Sequence, residues 1–266
     1  MKTMKWNKYY FAYIGVFLLS LSSCKKGSDN FLNRSELLAI TVTGFNGSSE
    51  DLLVKVGGFE FPVPLQSNNS FSQRNTYTFD AGENEVKLTV EEKSTGKLVL
   101  EKKLKKVDGT AKVNFLYIDG NISPMPEKPE VVADKISLIY MFQPTVTNYT
   151  EPVDIVVGKY YVTPQVFEEV TRAKNVKPYE FCEPITLSTF SVARQDYKGV
   201  MTSVSFVVRI YKAGTNIPYI DGTAYTWNAL SSTAPKPSAS VASSKLYIFT
   251  ESPVGNIMRF FNKLEQ

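Results

Sequence analysis

The sequence predicts an all-β fold with minor helix in its second half, built as two tandem β-sandwich domains of immunoglobulin-like or transthyretin-like type. Three observations predict it. Short runs of alternating apolar and polar residues recur through residues 37–120, separated by turn residues, with no helical period among them. Asn121 to Glu130 reads NISPMPEKPE, and its three prolines make a stiff, extended linker. Beyond it, residues 131–266 return to alternating runs, so the strand pattern is met twice.

In the first half, Ile40 and Val42 face one way and Thr41 and Thr43 the other, until Phe45-Asn46-Gly47 breaks the strand. Leu52, Val54 and Val56 alternate next and stop at Gly57-Gly58. Phe59, Phe61, Val63 and Leu65 repeat the parity, and Pro62 and Pro64 between them argue for an edge. Thr76 to Phe79 reads as a short strand. Val86, Leu88 and Val90 run into the turn Lys93-Ser94-Thr95-Gly96, which returns through Leu98-Val99-Leu100 as a hairpin. Val113, Phe115 and Tyr117 complete the set. The lysines at 97, 102, 103, 105 and 106 alternate with Glu91, Glu92 and Glu101, the mark of a solvated hairpin face.

In the second half, Lys135 to Tyr140, Pro152 to Tyr161, Ile185 to Val192, Val200 to Tyr211 and Lys245 to Phe249 read as strands. Adjacent residues on a strand point to opposite faces, so one of Tyr160 and Tyr161 packs inside and the other faces out. Thr163-Pro164 before Gln165–Val170 predicts a helix start, with proline in the first turn. Asp221-Gly222 within Ile217 to Trp227 predicts a two-residue hairpin turn. Ser231 to Ser244, rich in Ser, Ala and Pro, reads as a long mobile loop. Ser252-Pro253 predicts a final helix, with Ile257, Phe260, Phe261 and Leu264 on one face.

The N-terminus says where this body is expected to sit. Lys2, Lys5 and Lys8 precede an apolar run from Tyr9 to Leu21, which ends in Leu21-Ser22-Ser23-Cys24. A basic start, a short apolar stretch and small residues are the parts of a secretory signal, and the stretch is too short to span a bilayer core of roughly 30 Å. Over about the first 30 residues the chain resembles bacterial lipoproteins, with Leu21 to Cys24 in the place of their lipobox. The resemblance implies a signal peptide over 1–23, lipidation at Cys24, a tether over 24–36, and attachment to the outer membrane. Two or more acyl chains give a stable anchor. The following Lys25-Lys26-Gly27-Ser28-Asp29-Asn30 partly resembles the surface-export signal of Bacteroidota-type lipoproteins, leaving open whether the protein faces the cell surface or the periplasm.

Composition narrows the chemistry. The three leader lysines account for three of the formal four positive charges, so a processed chain is nearly neutral and lacks the concentrated basic surface that nucleic acid demands. There is no histidine, which removes the commonest general base, the usual catalytic triads and most zinc sites. No phosphate loop, dinucleotide fingerprint or metal-ligand spacing occurs, so no cofactor or metal site is expected. With Cys24 lipidated, Cys182 is left without a disulfide partner; flanked by Glu180 and Glu183, it is expected to be an inert, buried thiol.

What remains is the aromatic content of 13%, rich in tyrosine. Tyr149, one of Tyr160 or Tyr161, Tyr225 and Trp227 lie in polar or loop-flanked settings, and such rings suit recognition surfaces on which sugars stack. The reading is a non-enzymatic cell-envelope binding module for a glycan or a protein. In architecture alone it resembles the accessory glycan-binding lipoproteins of Bacteroidota-type uptake systems. The alternative is an adhesive, fimbrial-type subunit, since those of the same bacterial group are also lipidated precursors with two transthyretin-like domains. That resemblance implies an arginine-directed cut, for which Arg34 is the position ahead of the first strand.

Overall fold

A computed structural model describes residues 37–118 and 120–266; Cys24 and Arg34 lie outside the described residues. The fold is all-β. The helical content among the described residues is one 3-10 turn at Lys106–Asp108.

In the first half, strands β1 (Leu37–Asn46), β4 (Asn69–Thr78), β7 (Thr110–Ile118) and β8 (Asn121–Ser123) form a sheet of order β4-β1-β7-β8. Strands β2 (Leu52–Val56), β3 (Phe59–Glu60), β5 (Glu85–Glu92) and β6 (Leu98–Lys105) form a second, β3-β2-β5-β6. The predicted inward residues of both sheets meet in one core: Ile40, Val42, Val54, Leu88, Val90 and Phe115 are all buried in it. The pairing is antiparallel except between β1 and β7, which run parallel from Ala39↔Thr110 to Asn46↔Tyr117. Gly44 of β1 has φ +146°, and a Cβ there would lie 1.8 Å from the Phe115 carbonyl oxygen, so only glycine lets the strands close.

The second half repeats the plan. Strands β9 (Lys135–Gln143), β12 (Ile185–Ser188), β16 (Ser243–Glu251) and β17 (Phe260–Glu265) make the sheet β12-β9-β16-β17, in which β9 and β16 are parallel. Strands β10 (Val153–Tyr161), β11 (Val166–Val176) and β15 (Val204–Lys212) make the facing sheet β11-β10-β15. A small hairpin, β13 (Gln195–Tyr197) with β14 (Val200–Thr202), stands apart. β9 reads as a continuous apolar run because both of its faces are covered. Ile136, Leu138, Tyr140 and Phe142 enter the core of the second half, whereas Ile139 and Met141 turn the other way. There, with Leu246 and Ile248 of β16, they meet Phe45, Leu116 and Met125, closing an apolar seam between the halves.

Several sequence expectations are corrected. The helix at Thr163–Val170 is strand β11. Residues 162–165 form the hairpin turn from β10, with Gln165 left-handed at φ +57°, and a proline's fixed φ suits a turn as well as a helix start. The final helix is strand β17: alternation sends Phe260 toward the core and leaves Phe261 56% exposed, splitting the supposed stripe. The minor helix expected in the second half is therefore absent from the described residues. The prolines end β3 at Glu60, so Phe61 and Leu65 are buried while Phe59 and Val63 are exposed. The Thr76 strand is the end of the longer β4. The linker begins as strand β8, and Met125 is buried in the seam. Asp221-Gly222 joins no strand pair, and residues 219–222 are turns. The Ser231–Ser244 segment is docked rather than free: Ala234 N–H donates to the Val208 carbonyl at 3.0 Å, and Ala234 and Ala239 are buried.

Candidate functional site

Of the aromatic residues singled out from sequence, Tyr149, Tyr225 and Trp227 come to one side of the second-half core, each half-buried against it. The chain reaches there from β15. Lys212 N–H donates to the Ile217 carbonyl and Tyr219 N–H to the Ile210 carbonyl, which turns the segment back along the strand. Thr226 then exchanges backbone hydrogen bonds with Asn256 and Met258, at 2.7 and 3.0 Å, and so fixes its neighbours Tyr225 and Trp227.

Tyr219 and Phe260 join the ends. The Tyr149 ring meets Tyr219 edge-on at 5.6 Å, Tyr219 lies 6.3 Å from Phe260, and Phe260 lies 6.0 Å from Trp227. Phe142 and Phe249 back them, at 5.1 Å from Tyr219 and 5.5 Å from Phe260. The result is an arc of four rings in which Tyr219 is buried and Tyr149, Phe260 and Trp227 are half-buried. The Trp227 Nε1–H is buried without a partner, so the indole offers ring surface to solvent rather than its donor.

A carboxylate holds one end of the arc. Glu251, 4% exposed, accepts hydrogen bonds from Val146 N–H at 2.6 Å, Thr147 N–H at 2.7 Å, the Thr147 hydroxyl at 2.6 Å and the Tyr219 hydroxyl at 2.7 Å. These bonds pin the turn that leads into Tyr149. Burial, and then the neighbouring Glu251 charge, push the Tyr219 hydroxyl far above the usual tyrosine range, so it remains a donor at any ordinary pH. Neither Glu251 nor Tyr219 stood out in the sequence. The only signal was an acid closing the apolar run Leu246 to Phe249.

Tyr160 and Tyr161 take no part. Both are buried, at 6% each, which corrects the expectation that one faces outward. They do point to opposite faces, but each face is roofed. The Tyr161 ring lies 3.9 Å from Tyr197, and Tyr160 sits beneath the Arg209 guanidinium, which stacks at 4.0 Å on Phe167. Long side chains lying flat can cover a sheet face with no further layer of backbone. Tyr225 and Trp227 are not on a regular strand.

Cys182 is buried, and its Sγ accepts the Tyr140 N–H at 3.2 Å. Burial pushes the thiol up to about 11, so at neutral pH it is protonated and a poor nucleophile. Among the described residues no group of three or more Cys, Asp or Glu side chains is placed to hold a metal ion.

Compared with known proteins, the chain matches no family model and no curated protein. Among solved structures it aligns with a family 26 carbohydrate-binding module from Eubacterium rectale Amy13K, determined with maltoheptaose, at 11% identity over 85% of this chain and 97% of that one, TM-score 0.20. It also aligns with a leucine-rich repeat protein from Bacteroides thetaiotaomicron at 11% identity, over 69% of this chain and 25% of that one, TM-score 0.15. Superpositions this loose carry no argument about fold or function.

Proposed function

We propose that the protein is a non-enzymatic cell-envelope lipoprotein, tethered to the outer membrane through Cys24, whose second half binds an extracellular ligand on the Tyr149–Trp227 arc. Glycan is the ligand class that the arc suits best. The observation carrying the reading is the arc itself: half-exposed rings at Tyr149 and Trp227, with Tyr225 beside them, backed by a packed aromatic core. Sugar rings present C–H faces that pack on such surfaces, and rings already held by a core lose little freedom when a ligand arrives.

Affinity electrophoresis in gels containing polysaccharides tests the binding. Tyr149→Ala and Trp227→Phe should each weaken retardation by a neutral polysaccharide while the melting temperature stays close to wild type. Unchanged retardation in both variants, or a wild type that no polysaccharide retards, would remove the reading. The tether is tested by metabolic labelling with a fatty-acid probe. Label should enter the wild type and be lost in Cys24→Ser, whereas label retained in that variant would refute lipidation at Cys24.

A further inference from the structure

The edge strand of a sheet carries unpaired backbone groups that invite another chain, and folded proteins guard such edges. Among the described residues all edges but one are guarded. β3, β8, β12 and the strands of the β13–β14 hairpin have only two to four residues. β6 carries Glu101, Lys102, Lys103 and Lys105. β11 and β17 combine charged side chains with a shifted register. β15 is covered by the next segment, where Ala234 N–H donates to the Val208 carbonyl and Val208 N–H to the Thr233 hydroxyl. β4 is the exception. It runs for 10 residues, pairs with β1 without a bulge, contains no proline and has Arg74 as its one charged side chain.

The ladder tells which groups of β4 stand open. Ala39 N–H donates to the Gly109 carbonyl, so the odd-numbered residues of β1 serve β7 and the even-numbered ones serve β4. Through the register Leu38↔Tyr77, Ile40↔Asn75 and Val42↔Gln73, the N–H and C=O groups of Ser72, Arg74, Thr76 and Thr78 point away from the sheet. Among the described residues no backbone hydrogen bond from another segment meets them. A groove of about 470 Å³ runs beside this edge, walled on one side by Gln73, Arg74 and Asn75 and on the other by Pro62, Val63 and Pro64. Gln73 Nε2 donates to the Val63 carbonyl at 2.8 Å and holds the two walls together, while the Val63 side chain is left 54% exposed.

We propose that β4 is the docking edge for a second copy of this chain, the two β4 strands pairing antiparallel about a two-fold axis at Asn75. In that register Arg74 faces Thr76 of the second copy and Ser72 faces its Thr78, so each copy answers the other's open donors and acceptors with the same groups. An axis at Arg74 would instead set two guanidinium groups directly opposite, which like charge disfavours. The second layer of the sandwich agrees: Pro62, Val63 and Pro64 stand beside the edge, and the second copy brings the same three toward them, covering apolar surface that a single chain leaves to water. One edge used by both copies closes the assembly at two. The result is a sheet that runs unbroken from one first half into the other.

Sedimentation of the full chain in mild detergent should give a dimer, and a monomer at every concentration reached would overturn the proposal without recourse to any variant. The register is read by oxidative cross-linking on non-reducing gels, with wild type as the background. Asn75→Cys places a thiol on the axis, facing its own copy at a Cα separation of about 4.5 Å, within the reach of a disulfide. Ser72→Cys, more exposed but about 20 Å from its counterpart, is the control for chance encounter. Expected is a cross-linked dimer from Asn75→Cys and none above background from Ser72→Cys. Adding Thr76→Lys to Asn75→Cys sets two like-charged pairs with Arg74 across the axis and should lower the cross-linked yield about threefold or more, whereas adding Thr76→Glu should preserve it. Equal cross-linking at both positions, none at Asn75→Cys in a protein that melts like wild type, or the same loss with Thr76→Glu as with Thr76→Lys would each overturn the pairing.

Discussion

A carboxylate removed from water is costly unless donors surround it, and Glu251 has four. Two are backbone N–H groups of one turn, so the side chain acts as a clamp on residues 146 and 147. Glu251→Ala would leave these donors and the Tyr219 hydroxyl without their acceptor. The expected loss is about 3 kcal/mol in urea denaturation, since breaking a buried charged network lies in the upper range of single-residue effects. Tyr149→Ala, which removes a half-exposed ring and no acceptor, should cost clearly less. A Glu251→Ala variant as stable as wild type would show that the turn holds itself. The dependence runs across 104 residues between Thr147 and Glu251, which is why no local pattern in the sequence revealed it. Tyr149, Tyr225 and Trp227 were legible because polar neighbours mark them, whereas Tyr219 and Phe260 are recognisable only from the rings they touch.

The pairing of β10 with β11 turns on one small residue. A Cβ on Gly158 would lie 2.3 Å from the Glu168 carbonyl oxygen and 2.6 Å from the Phe167 ring, which crosses the strand at the point where the register shifts. Gly158→Ala should therefore lower stability by about 1–3 kcal/mol through overpacking, read as a lower urea midpoint. An unchanged midpoint would mean that β11 moves aside without loss. Strands with clear alternation, such as β2 and β5, were legible because one face of each meets a core. β11 and β17 were not. Each lies at a sheet edge with partly exposed residues on both faces, so period two is blurred and chance apolar spacings resemble a helix. Turn chemistry deepened the ambiguity, because Thr163-Pro164 suits a hairpin turn and a helix cap alike.

At the scale of the molecule, the seam between the halves matters most. Phe45, Leu116 and Met125 meet Ile139, Met141, Leu246 and Ile248 there, and Lys263 Nζ donates to the Asn68 carbonyl at 3.1 Å. Cleavage after the exposed Glu130 with a glutamyl endopeptidase should thus give two pieces that co-elute in size exclusion and separate only in denaturant. Pieces that part in plain buffer would show the seam to be too weak to hold them. The parallel pairing of β9 with β16 bears on how the chain reaches this state. Gln143 and Thr250 hydrogen-bond across 107 residues, so β9 is synthesised long before its central partner. Until β16 arrives, an apolar strand meant to be covered on both faces is left with an open edge, and distant pairings of this kind form slowly. The second half can complete its sheet only when almost the whole chain is available, which makes the nascent polypeptide, rather than the finished protein, the state most exposed to aggregation and most in need of a chaperone.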